Sequence, residues 1–185
     1  MIKAVIKRFI ALIKLYIMKV IFMKNIEFQL EELISFSTKI RIKGKGKVIL
    51  KKKVGTRRNV ELAVDTMGVI SIGKSCFFNN NCMVVAHEKI LIGDYCSFGP
   101  NVLIYDHDHD FRAYNGIKSG HFKTSTIEIG NNVWVGANSI ILRGSKIGDN
   151  CVIAAGSVIK GEYKSNSIVL NEREERVVEY DYEGE

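Results

Sequence analysis

The sequence predicts an all-β fold: a left-handed parallel β-helix, preceded by a short N-terminal helix and followed by an acidic C-terminal tail. Three observations predict it. A large aliphatic residue recurs every six positions, a small residue recurs four places after it, and Asn or Gly recurs at fixed places between them. Solenoids are recognised by internal periods of this kind, because each repeat buries its apolar face only against its neighbours. The expected organisation is a basic segment over 1–38, the coil over 39–170 with an excursion at 106–124, and the tail over 171–185.

The chain has 185 residues, of which 46% are hydrophobic, so it holds one domain with modest appendages and a real core. Its formal charge of +7 is unevenly spread. Residues 1–24 carry Lys3, Lys7, Arg8, Lys14, Lys19 and Lys24 without an acid, and 39–58 add a second all-basic stretch. The tail after Leu170 is acidic. This distribution points to an anionic partner such as a membrane surface, a CoA phosphate or a charged glycan, with a solvated face that keeps the protein soluble as the competing reading; no nucleic-acid partner is expected. Lys14 and Lys19 interrupt the apolar run of the first segment, and no small-residue cleavage site follows. The run is also shorter than the ~20 residues needed to span a bilayer. The expectation is a cytoplasmic protein with peripheral contact at the inner face of the membrane through 1–23. As a helix, that segment places Lys3, Lys7 and Lys14 on one side and Arg8 and Lys19 elsewhere; packing within an oligomer is the competing reading.

From Ile129 the aliphatic series is Ile129, Val135, Ile141, Ile147, Ile153 and Ile159. Upstream it runs Ile42, Val48, Val54, Val60, Thr66, Ile72, Phe78 and Val84, then slips by two residues to Ile92, Phe98 and Ile104. A period of six fits neither a helix nor an ordinary strand. It fits three short strands per turn, with equivalent residues stacking every 18 positions. The fifth places, among them Cys76, Cys82, Cys96, Val102, Val133, Ser139, Ser145, Cys151 and Ser157, are small or β-branched and point inward. Asn81, Asn101, Asn132, Asn138 and Asn150 fill the fourth places, where a tight corner needs left-handed backbone. All four cysteines take the small inward place, so they are core residues of a protein in a reducing compartment, not metal ligands.

Between Ile104 and Ile129 the spacing is 25 where six is expected, so about 19 residues leave the coil. A long polar excursion from a solenoid is a functional feature more often than a decorative one. It holds His107, His109 and His121, and the fourth histidine, His87, lies in the two-residue slip.

Gly99-Pro100-Asn101-Val102, then Asp106-His107-Asp108-His109, then the rung from Ile129 through Trp134 to Ala137, resemble the hexapeptide-repeat acyltransferases. The likeness is greatest to the galactoside and maltose acetyltransferases and the O-acetyltransferases of bacterial surface-polysaccharide synthesis. It implies a homotrimer that transfers acetyl from acetyl-CoA directly to a hydroxyl or amine of a sugar or glycan precursor, with no metal. It further implies a loop histidine as general base, a role suited to a group titrating near neutral pH. Spacing from Asn101 favours His109, with His107 as its rival. Asn79, His87 and Asp106 fall on the acceptor side; His87 stands where the sugar enzymes carry Asp, and Asp110 where they carry Pro. Trp134, Gly136, Ala137, Arg143, Ala154, Ala155 and Lys160 fall where CoA would run.

Two other readings share the coil. A γ-carbonic-anhydrase-like zinc protein would use three histidines across subunits, but the spacing of these four does not fit that site. A non-sugar acceptor, such as an antibiotic or serine, is compatible with the same machinery.

Overall fold

The computed structural model describes residues 2–29, 33–171 and 177. Nearly every strand pairs in parallel with the strand one turn later, so the chain climbs as a coil with three faces. Face A has seven strands and faces B and C six each. Along the chain they recur in the order A, B, C, as in Val69–Ile72, Phe77–Phe78 and Met83–Ala86. The architecture is the left-handed β-helix expected from the repeat. The acidic tail lies almost wholly outside the described residues.

Turn length is not constant. Leu62 stacks beneath Val84, 22 residues on; Val84 beneath Ile104, 20 on; Ile141 beneath Ile159, 18 on; and Val152 beneath Ile168, 16 on. The coil therefore narrows from its N-terminal to its C-terminal end. This corrects the uniform 18-residue turn. Thr66, counted in the inward series, sits exposed in the Asp65–Gly68 corner, where the Gly68 N–H donates to the Asp65 carbonyl. The wider turns carry four-residue strands on face C, Lys39–Ile42, Glu61–Val64 and Met83–Ala86, whose last place also turns inward and is buried at Val64 and Ala86.

Inside, the predicted inward residues from Val48 onward, apart from Thr66, are buried, and Phe78 stacks on Phe98 with centroids 4.5 Å apart. Each enclosed Ile or Phe contributes about 1.5–3 kcal/mol relative to exposure. All four cysteines are free and buried, and burial pushes the Cys82 thiol up to about 11. A thiol held as that of Cys82 stays protonated and inert at neutral pH.

The predicted corner asparagines all adopt left-handed backbone, with φ between 54° and 59°. Their side chains also run along the corners, Asn81 to Asn101 to Asn138 on one edge and Asn132 to Asn150 to Asn166 on another. The recurrent glycines answer a different need. A Cβ on Gly93 would lie 2.5 Å from the Gly130 carbonyl oxygen on the next turn.

Helix α1, Ile2–Phe22, covers the wide end of the coil. Ala11 and Leu15 are buried, with Met18 and Phe22 packed beside them. Lys14 donates to the carbonyls of Phe36 and Thr38, and burial lowers its pKa. An end cap of this kind covers the apolar stack that a solenoid would otherwise expose.

Gly93→Ala is expected to destabilise the fold by about 1–3 kcal/mol, because rigid backbone must move to admit the methyl. Urea unfolding followed by circular dichroism measures it.

Candidate active site

The excursion is an antiparallel hairpin at the corner between faces C and A. Strand His107–His109 pairs with Phe122–Thr124, with His107 opposite Thr124 and His109 opposite Phe122. Its base is closed by the Ser125 N–H donating to the Asp106 carbonyl, and its tip turns through Asn115 and Gly116 in left-handed backbone. Ile104 stacks beneath Ile141, 37 residues on, which is one 18-residue turn plus the 19 extruded.

Alternation along a strand sends successive side chains to opposite sides. His107 turns in toward the corner, and its ring stacks on His87 with centroids 3.6 Å apart and planes 17° from parallel. Phe122 packs edge-on to both rings. Asp108 turns the other way and accepts a 2.6 Å hydrogen bond from Arg143 Nε. Lys123 pairs with Asp110 at 3.2 Å. His109 is exposed, and its ring lies against Phe122.

Beneath the two imidazoles lies Asp106, which has no exposed surface. It occupies the third inward place of its strand, where Ala86 sits one turn earlier. A carboxylate there would be costly unless fully hydrogen-bonded. It accepts the backbone N–H groups of His87 and Glu88, each at 2.8 Å, and lies 3.2 Å from His107 Nδ1. Enclosed in this way, Asp106 presents no surface of its own, so the expected direct contact with an acceptor does not fit its burial. His87 Nε2 is 3.8 Å from Asp65. Burial, and then the neighbouring His107, push the His87 pKa below its ordinary value, against the opposing pull of Asp65 and Asp106.

A concavity of about 280 Å³ opens beside His87, lined by Arg41, Lys43, Asp65 and the apolar side of face C. Arg41 pairs with Glu61 and Lys43 with Asp65 at its rim.

The residues expected at the site fall into two groups. His87, Asp106, His107, His109, Arg143 and Lys160 gather at the corner between faces C and A. Arg143 is committed there to holding the hairpin, and Lys160 follows strand Val158–Ile159 one turn further on. Asn79, Gly136, Ala137, Ala154 and Ala155 line the opposite edge of face C, and Trp134, 58% exposed, lies beside them on face B. Roughly 20 Å of strand, at about 3.3 Å per residue, separates the two groups within one chain. Asn79 Oδ1 accepts the Asn80 N–H at the corner. Gly136 has a structural reason to be Gly, since a Cβ there would lie 2.5 Å from Ala155 N.

Sequence reasoning missed Asp65, Phe122 and the Asp108–Arg143 pin. Asp65 escapes because an 18-residue turn would place Val69 beneath His87; only the true 22-residue offset brings it there. Nothing in the sequence marks the pin, which joins two positions 35 apart across the excursion.

Comparison with known proteins bears out the likeness read from the sequence. The bacterial transferase hexapeptide family (six repeats) matches residues 126–161. The galactoside O-acetyltransferase of Escherichia coli K12 is 35% identical over 103 residues, covering 54% of this chain and 48% of its own length. WbbJ of the same strain, assigned by its name to lipopolysaccharide biosynthesis as an O-acetyl transferase, is 27% identical over 124 residues, 63% of each chain. Among solved structures, a maltose O-acetyltransferase from Clostridium difficile 630 superposes with a TM-score of 0.51 at 28% identity, covering 81% of this chain and 67% of that one. This chain is thus a hexapeptide-repeat β-helix similar to the sugar O-acetyltransferases. It spans about half the length of the curated relatives it matches first.

The depressed His87 pKa has a defined consequence for stability. The folded state disfavours the imidazolium, so the unfolded chain binds more protons once pH falls below the ordinary histidine value of about 6.5. The contribution of neutral His87 is complete above that pH and is lost progressively as pH falls from it through the lowered folded-state value. The midpoint of urea unfolding should fall between pH 7 and pH 5.5, and His87→Gln should flatten part of that slope.

Proposed function

We propose that this chain is an acetyl-CoA-dependent O-acetyltransferase whose acceptor is a hydroxyl of a sugar or glycan precursor. The observation that carries this reading is the Asp106–His107 arrangement on an extruded hairpin, in a coil whose relatives are named as sugar acetyltransferases. Four free, buried thiols suit a reducing compartment, and the reading places the reaction on the cytoplasmic side.

Two histidines compete for the role of base. Spacing from Asn101 favours His109, whereas hydrogen bonding favours His107, and we assign the role to His107. With Nδ1–H directed at Asp106, its Nε2 carries the lone pair that takes the acceptor's hydroxyl proton as the oxygen attacks the thioester carbon. Asp106 fixes the tautomer and offsets the imidazolium as it forms. His87 and Phe122 hold the ring's plane. His109 has no hydrogen-bonded acceptor among the described residues. After transfer, the proton leaves His107 with the CoA thiol.

Acetyl-CoA supplies the thioester, and the chain offers a surface that fits its arm. Trp134 presents an exposed ring beside Ala137, Ala154 and Ala155, whose small side chains leave room along the edge, with Gly136 buried beneath them. Because this surface lies on the far edge of face C from the histidines, a complete site needs a second copy. We propose a homotrimer in which the hairpin corner of one chain meets the Trp134 edge of the next. Face C supports this, since Met83, Val85, Leu103, Tyr105, Ile140 and Leu142 line up on its outer side as one apolar surface. The stacked faces of His87 and His107 do not converge on a common point as zinc ligands would, so the carbonic-anhydrase reading gains no support from them.

Thiol release from acetyl-CoA with a panel of nucleotide sugars and oligosaccharides tests the activity. His107→Ala is expected to lower kcat by about 10²–10⁴-fold and His109→Ala by much less; the reverse ranking would return the role to His109. Leu103→Arg should convert the trimer to monomer in light scattering and abolish turnover. A fully active wild-type monomer would overturn the shared site.

A further inference from the structure

Helix α1 presents two faces, and the coil uses only one. Ala11, Leu15, Met18 and Phe22 pack on the coil end. On the other side Phe9, Ile13, Tyr16, Ile17, Val20 and Ile21 all point to solvent, and Phe9, Tyr16 and Ile21 are each about two-thirds exposed. With Ile6 and Ile10 they fill an arc of roughly 140° at 100° per residue, centred opposite the packed face. Lys14 borders one margin of this arc, and Lys19 lies about 60° beyond the other, over the Phe28 ring. Lys14 is tied to the coil through the Phe36 and Thr38 carbonyls, which fixes the orientation of the helix and so of the arc.

Charge decides between occupants. The first 24 residues carry six cations and no acid. Helices that associate with copies of themselves set opposite charges along the margins of their seam. These helices would bring only cations together, and the arc is wider than a two-residue coiled-coil seam. An anionic lipid surface meets both demands, receiving the apolar arc at the depth of the acyl boundary and the lysines at the headgroups. No helix of the described residues is long and apolar enough to cross a membrane, so the helix would lie in the interface plane.

We infer that the solvent face of α1 is a docking surface for an anionic bilayer, on which the protein rests by its wide, N-terminal end. The coil then stands away from the bilayer with its hairpin corner several turns above it. The inference concerns where the protein sits and does not depend on which group it transfers.

Co-sedimentation of the full chain with vesicles tests it, using phosphatidylcholine alone and phosphatidylcholine with 30% phosphatidylglycerol. Binding to the anionic vesicles is expected to exceed binding to the neutral ones by at least about ten-fold, at roughly five-fold per engaged cation, and to weaken in 0.5 M salt. Ile17→Ser/Val20→Ser keeps the charge and alters only exposed positions, so its melting temperature should match wild type while its binding falls about ten-fold. Lys19→Gln/Lys24→Gln should reduce anionic binding alone and provides the second variant if the first is unstable. Wild type remaining in the supernatant with both vesicles would overturn the inference. So would Ile17→Ser/Val20→Ser binding as wild type does, or that variant losing mass in light scattering in place of vesicle affinity, which would assign the arc to a second copy.

Discussion

Every turn of this protein lies directly on the backbone of the turn below, hydrogen-bonded strand to strand with no layer of side chains between. That contact constrains everything else. It requires glycine where the corners close in and left-handed asparagine where they turn, and it leaves only a narrow interior in which one large and one small residue alternate. The stack has little freedom to deform within a turn. Variation enters as whole insertions at corners: four or two residues in the wide turns, nineteen at the hairpin, or a helix at the end.

The hairpin shows how such an insertion becomes a site. A carboxylate replaces an apolar residue at the last inward place before the chain leaves the coil, and it is enclosed by backbone donors from the turn beneath. Asp106 thereby ties the excursion to a rigid scaffold at its root, while Arg143 holds Asp108 from the turn above. The imidazole between these anchors is stacked and hydrogen-bonded before any substrate arrives. On the proposed mechanism, pre-set geometry of this kind is what proton transfer requires, because a base must meet the hydroxyl in one orientation. The same rigidity keeps the Trp134 edge a full strand away, so a single coil cannot fold its two halves together. In the proposed trimer, assembly takes the place of flexibility.

Much of this was legible in the sequence because a solenoid writes its contacts at short, regular intervals. The inward aliphatics, the buried cysteines, the positive-φ asparagines and the extruded segment all follow from a period of six and its two interruptions. So do the histidines on that segment, since any residue outside the rungs is free of the packing rule. Thr66 is where the arithmetic failed, because a corner four residues longer moves the count from one inward place to the other, which preserves the apparent period while changing which residues stack.

The sequence by itself determined the architecture, the core and the place where chemistry gathers, since each depends on neighbours in the chain or one repeat away. Only the tertiary structure decided the partners across turns: that Asp65 faces His87, that Asp106 is enclosed and holds His107, and that Arg143 grips the hairpin. It also decided which side of the N-terminal helix is left uncovered. Those contacts depend on the exact number of residues per turn and on side-chain direction. Alternation along the hairpin separates His107 from Asp108, and the lengthened corners move the turn beneath by four residues, so neither is carried by the repeat pattern.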